Sequence, residues 1–157
     1  MSAAIANALE TRIVCEPVTE DDLEAVLAIE RRLYPYPWTY GNFRDSIRSG
    51  YHCVLYRVDG DLAAYAVATI AAGEAHLLNL SVAQHYQRRG HGRRLLEHII
   101  GLARLHYVRL MYLEVRPSNV AARRLYAERG FARVGVRRDY YPGATGREDA
   151  LVLSLDL

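Results

Sequence analysis

The stretch that most constrains this chain runs over residues 75–115. An apolar run, "AHLLNLSV", leads into the loop "AQHYQRRGHG", an amphipathic pattern follows, and a second apolar run, "LMYLEV", ends it. Two strand-like runs joined through a helix form a crossover unit, whose strands are expected to be parallel and whose connection right-handed. The helix, expected over about 92–106, carries Leu95, Leu96, Ile99, Ile100 and Ala103 as one apolar stripe. Ligands of such units bind beyond the carboxyl ends of the strands, beside the following helix's N-terminus. "QRRGHG" occupies that place.

The remaining segments arrange themselves around this unit. "TRIVCEPVT" reads as a first strand, with Thr19 as N-cap for the next element. In "EDDLEAVLAIERRLY" the residues Leu23, Val26, Leu27 and Ile29 share a side at helical spacing. Pro35 and Pro37 of "YPYPW" forbid the helix to continue. A second short helix is expected over 40–49, closed by Gly50. Asp59-Gly60 between two strand-like runs signals a hairpin, and "AHLLNLSV" makes a third consecutive strand. After "LMYLEV" comes a helix in "NVAARRLYAER", ended by Gly130. "ARVGVRRDY" and "DALVLSLDL" then form an antiparallel pair around a "YYPGATG" loop. The order β-α-α-β-β-β-α-β-α-β-β defines an α/β mixed sheet with helices on it. One domain over residues 1–157 is expected, with a flexible tail at residues 1–11. No run approaches the roughly 20 apolar residues of a membrane helix, and the start lacks a basic, cleavable leader, so a cytoplasmic protein is expected. Cys15 and Cys53 have no C-x-x-C spacing and are expected to be reduced and partly buried.

The charge pattern narrows the chemistry. All 20 basic residues are arginine, so a Walker-type lysine, a Schiff-base lysine and a lysine base are excluded. "QRRGHG" is neither the G-x-G-x-x-G fingerprint nor a P-loop. Its glycines, Gly90 and Gly92, nonetheless let the backbone approach a ligand closely. The free amides and positive dipole end of the next helix then favour an anion. A solvated basic turn is the plain alternative. Nucleic acid is a third reading, but a net charge of +2 is small and no aromatics interleave within the loop to stack on bases. In "LMYLEVR", Met111, Leu113 and Val115 lie on one strand face and Leu110, Tyr112 and Glu114 on the other. A lone carboxylate in so apolar a strand is either a catalytic base or half of an ion pair with Arg116. Tyr126 by itself reads as a core aromatic, and Asn119 as an N-cap.

Read together, these segments resemble the GCN5-related N-acetyltransferase superfamily, whose signature Q/R-x-x-G-x-G/A is met by Gln87-Arg88-Arg89-Gly90-His91-Gly92. "YPWTYGNF", "LEVRPSNVAARRLYAERGF" and "RRDYYPGATGREDALVLSL" are similar to its RimI-type branch, the bacterial ribosomal-protein-alanine N-acetyltransferases. The resemblance implies a mostly antiparallel seven-stranded sheet flanked by four helices. It implies that acetyl-coenzyme A is held at its pyrophosphate by Arg88, Arg89, Gly90, His91, Gly92 and Arg93, with the His91 side chain facing solvent. Leu80, Ser81 and Val82 would run along the pantetheine and offer an amide to the thioester carbonyl, and Asn119 would add a contact. Glu114 would act as general base and Tyr126 would protonate the departing thiolate. Tyr34, Tyr36, Trp38, Tyr140 and Tyr141 would wall the acceptor groove, although burying a helix end also explains such aromatics. No metal is implied. The implied acceptor is the N-terminal alanine of the eighteenth small-subunit ribosomal protein, met by a monomer or weak dimer with no membrane or direct nucleic-acid contact. Within the fold, a small amine or aminoacyl-tRNA is the alternative acceptor.

Overall fold

The structure, a computed structural model, describes residues 10–157, so most of the expected tail at residues 1–11 lies outside the described residues. The chain runs β1 (Ile13–Pro17), α1 (Leu23–Leu33), α2 (Tyr40–Arg48), β2 (His52–Val58), β3 (Asp61–Ala71), β4 (Glu74–Val82), α3 (His91–Leu105), β5 (Leu110–Val115), α4 (Val120–Arg129), β6 (Ala132–Gly143) and β7 (Gly146–Asp156). This is the expected element order. Asp59 and Gly60 both adopt positive φ, at 49° and 89°, which matches the twist of the hairpin they join. Thr39 caps α2 through a bond from the Asn42 amide of 3.1 Å, and Pro35 and Pro37 separate the two helices.

The seven strands form one sheet in the order β1-β2-β3-β4-β5-β7-β6. Every pairing is antiparallel except β4–β5. That parallel pairing is short. It runs from Glu74↔Leu110 to Leu77↔Leu113 and stops, while β4 continues to Val82 along β3. A register shift in the β3–β4 ladder between Val67 and Ala68 coincides with the parting, since a bulge increases local twist and bends its strand. Beyond Leu77 the β5-facing edge of β4 therefore has no strand partner. This opening inside the sheet positions the site.

Side-chain packing closes both faces. Leu95, Leu96, Ile99 and Ile100 of α3 are buried with Ala66, Leu77, Met111, Leu113 and Tyr126, each large aliphatic contributing roughly 1.5–3 kcal/mol. Leu23, Val26 and Leu27 of α1 are buried with Phe43, Leu55, Tyr65 and Val67 in a second cluster. The expected stripe of α1 needs one correction: Ile29 is only half-buried, and Glu30 takes the fully buried position at helical spacing from Val26 and Leu27. The "YYPGATG" loop also proves shorter than expected. Tyr141↔Glu148, Pro142↔Arg147 and Gly143↔Gly146 continue the β6–β7 ladder past a register shift, leaving only residues 144–145 as the turn. Pro142 is tolerated there because β6 is the outermost strand. Cys15 and Cys53 are free thiols, half-buried and buried respectively.

Candidate active site

The glycine–arginine loop is built to expose amides. Gln87 Nε2 donates to the Val82 carbonyl over 2.9 Å, tying the loop to the end of β4. Arg88 and Gly90 both take left-handed backbone conformations, with φ of 62° and 83°. Alternating handedness of this kind turns successive N–H groups toward one point and forms an anion nest. Gly90 is the N-cap of α3 and no side chain caps that helix end. The Arg94 amide bonds to the Gly90 carbonyl at 3.2 Å, so the amides before it lie outside the helical ladder. A Cβ on Gly92 would meet Val82 Cγ2 at 3.4 Å and Leu125 Cδ2 at 3.6 Å, ordinary van der Waals contacts, so the packing of α3 on β4 and α4 does not itself demand glycine there. The expectation that His91 faces solvent is overturned. Its ring is buried, and its Nδ1 meets the Tyr56 hydroxyl at 2.8 Å between the rings of Tyr56 and Tyr86. Burial and the guanidinium groups of Arg94 and Arg89 hold its pKa down. His91 thus anchors the first turn of α3 to β2, leaving its backbone to face a ligand.

Glu114 is the first β5 residue past the paired segment. It does not pair with Arg116. Oε2 lies 2.5 Å from His76 Nε2, and Oε1 accepts from Arg137 Nε at 3.1 Å. Both partners escaped the sequence reading. His76 lies one strand away, beside Tyr112, on whose ring it stacks, and Arg137 comes from β6. Burial pushes the Glu114 carboxyl up, but the hydrogen bond and charge of His76 and the charge of Arg137 outweigh it and hold the group below the ordinary range. Removing a donor lets burial count for more and raises that pKa. Were Glu114 to serve as a base, it would act as the carboxylate, and any activity that needs it would then be lost at a higher pH on the acid side. In His76→Leu the acid limb of kcat/KM should move upward; a limb that stays in place removes this coupling from the reaction.

The opening between β4 and β5 is where groups from both sheet faces meet. Tyr126 of α4 is buried, and burial, reinforced by the phenols of Tyr34 and Tyr141, raises its pKa far above the ordinary value. Its hydroxyl therefore keeps its proton at neutral pH. Tyr34, at the end of α1, bonds to Ser81 Oγ over 2.7 Å, and its pKa is pushed up to about 12, chiefly by burial. Arg116, expected near Glu114, instead stacks on Tyr141 at 4.3 Å and reaches Tyr36 at 5.9 Å. Its Nη1 donates to the Pro142 carbonyl at 2.8 Å and to Glu148 at 3.2 Å. One guanidinium thus joins the two aromatic segments, and the strand register alone does not reveal it. Tyr140 packs edge-on against Tyr141 and stays exposed. Trp38 stands apart, with its ring packed on Phe43 at 5.0 Å in the α1–α2 core. Asn119 does cap α4, accepting from the Ala122 amide at 3.1 Å. Among the described residues no cluster of histidine, cysteine or carboxylate side chains could hold a metal, and no helix is long and apolar enough to cross a membrane.

A mixed sheet parted beside a glycine nest, with a carboxylate and a buried phenol at the parting, is the architecture of an acyl-transfer enzyme acting on a thioester. Residues 23–131 match the family described as the acetyltransferase (GNAT) family, and this chain belongs to it. It is 40% identical over 136 residues to the [ribosomal protein bS18]-alanine N-acetyltransferase of Escherichia coli strain K12, covering 87% of this chain and 92% of that protein. The protein of the same description from Haemophilus ducreyi is 31% identical over 143 residues, 90% of this chain and 99% of that one. The crystal structure of the ribosomal-protein-S18-alanine N-acetyltransferase from Escherichia coli superposes with a TM-score of 0.86 and 37% identity, covering 92% of this chain and 94% of that one.

Proposed function

We propose that this chain transfers acetyl from acetyl-coenzyme A to the α-amine of an N-terminal alanine, that of ribosomal protein bS18, in the cytoplasm. What supports the chemistry is that Tyr126 feels the phenols of Tyr34 and Tyr141, that Tyr141 in turn feels Glu114, and that Glu114 stands one residue past the end of the β4–β5 pairing. The amides from Arg88 to Arg93 hold the pyrophosphate of the donor, and Asn119 adds a contact while capping α4. The free edge of β4 at Leu80, Ser81 and Val82 pairs with the pantetheine and directs an amide at the thioester oxygen, where negative charge develops. An α-amine titrates near pH 8, so part of the acceptor arrives as ammonium. Glu114 takes its proton. The amine nitrogen then bonds to the acetyl carbon, and the carbon–sulfur bond breaks as Tyr126 gives its proton to the thiolate. The second proton lost by the nitrogen restores the Tyr126 phenol, leaving a neutral amide while Glu114 gives up its proton to solvent.

The substrate assignment is supported by two relatives that share the description and cover most of their length with this chain. Tyr36, Tyr140 and Tyr141 supply exposed or half-buried rings beside the opening, as a peptide acceptor needs. The test is mass spectrometry of purified protein with acetyl-coenzyme A and peptides beginning Ala, Ser, Met or Gly, alongside small amines and aminoacyl-tRNA. Acetylation concentrated on the alanine peptide is expected. Preference for a small amine or aminoacyl-tRNA overturns the assignment.

A further inference from the structure

Glu30 is 1% exposed, and among the described residues no cation pairs with it. A buried carboxylate in that position persists only if hydrogen bonds replace its water. Three donors do so, each from a different segment. The Tyr65 hydroxyl of β3 donates to Oε2, while the Trp38 amide of the 34–38 loop and Asn79 Nδ2 of β4 donate to Oε1 at 3.2 and 3.3 Å. The chain of bonds extends further. Ser81 Oγ donates to Asn79 Oδ1 at 2.7 Å, so its one proton is used, and Tyr34 must be the donor in the 2.7 Å bond to Ser81.

The two sides of this network differ in what else holds them. Asn79 and Ser81 sit in the ladder with Val67 and Tyr65. The 34–38 loop has no ladder; it bears on β4 through Tyr34 and Glu30, with the Trp38 ring on Phe43 and Arg116 over Tyr36 holding it elsewhere. We propose that Glu30 is a positioning residue for the acceptor: its carboxylate fixes the 34–38 loop against β4 and so sets where the acceptor amine meets the acyl donor. This rests on the reading of that loop as a wall of the acceptor groove. Burial raises the Glu30 carboxyl above the ordinary range, and the bonds from Tyr65, Trp38 and Asn79 offset only part of that rise.

Trp38 is the chain's single tryptophan, so its fluorescence reports the loop directly. Glutamine at position 30 offers one acceptor oxygen in place of two and cannot accept from all three donors. In Glu30→Gln, KM for an alanine-initiated peptide should rise about tenfold, as expected from losing one buried charged hydrogen bond. The dissociation constant for acetyl-coenzyme A should stay within about twofold, because β4 keeps its ladder. Acrylamide should quench Trp38 more readily. Asn79→Ala, which removes one donor and leaves the carboxylate, should show the same split more weakly and serves if the first variant does not fold. Unchanged peptide KM and unchanged quenching in a folded variant overturn the proposal. So does an equal loss of affinity for both substrates, which would mark a general structural role. Quenching is read without any acceptor present. A chain that leaves alanine peptides unmodified while Trp38 still responds to position 30 thus overturns the substrate assignment and supports the tether.

Discussion

Glu114→Gln should lower turnover of an alanine-initiated peptide by about 10²–10⁴-fold near neutral pH, the usual range for removing a general base. Glutamine fills the same space and can still accept from Arg137 or His76, so the strand and its partners stay in place. What it cannot do is bind the proton that the ammonium must lose. The depressed carboxyl pKa has a consequence here. Glu114 stays ionised into the acid range, so the acid limb of wild-type kcat/KM should follow protonation of this carboxylate and lie below the ordinary carboxylate range. Acetyl-coenzyme A should bind the variant as it does the wild type, because none of the loop amides depends on position 114. Full activity of Glu114→Gln across the pH range would remove this residue from the mechanism and leave its pairing with His76 and Arg137 as a structural one.

The second large effect is expected at Gly90. Its φ of 83° lies in the left-handed region, and nothing stands within 4 Å of where a Cβ would be. The cost of a side chain there is therefore one of backbone conformation and not of collision. Alanine should cost about 1–2 kcal/mol, roughly a fivefold to thirtyfold loss of acetyl-coenzyme A affinity if the loop relieves the strain by turning. Valine, branched at Cβ, should drive the loop out of the nest. Each charge-assisted bond lost is worth about 1.5–3 kcal/mol, so losing two amides means a loss above about a hundredfold. Calorimetric titration of both variants separates the cases. If valine binds as tightly as glycine, the nest is not where the pyrophosphate sits. Arg88→Ala is the milder companion: its φ of 62° is retained at small cost, and only a secondary charge is removed.

The local parts of this architecture were legible because they rest on short-range chemistry. Asp59-Gly60 adopts the twin positive φ values that its residue types favour, the prolines divide α1 from α2, and Asn119 and Gly130 sit at the two ends of α4. The stripe of α3 is buried as its spacing implies, since a crossover helix has one face to cover. Features that depend on strand neighbours were not legible. His91 was expected outside and lies inside, because the partner that buries it, Tyr56, is 35 residues away on β2. Glu30 stands at a core position of α1 by spacing alone, but a carboxylate there makes no sense until Tyr65, Trp38 and Asn79 supply their donors.

The residues around Glu114 show the same division. Alternation along "LMYLEV" set Glu114 opposite Met111, Leu113 and Val115 in the sequence itself, and the burial pattern follows it. The nearest cation in sequence, Arg116, was the obvious partner, yet it lies one residue past the end of β5, outside the ladder that holds Glu114. The partner was decided by the sheet order, which puts β4 on one side of β5 and β7 on the other, with β6 beyond. His76 and Arg137 reach Glu114 across that order, and Arg116 is free to clasp Tyr141 and Tyr36. By itself the sequence determined which elements form and where Glu114 and Tyr126 fall on them, because backbone preference and apolar periodicity act over a few residues. Only the tertiary structure decided what those residues touch, because contacts between strands depend on register and on the parting of β4 from β5, which no local pattern encodes.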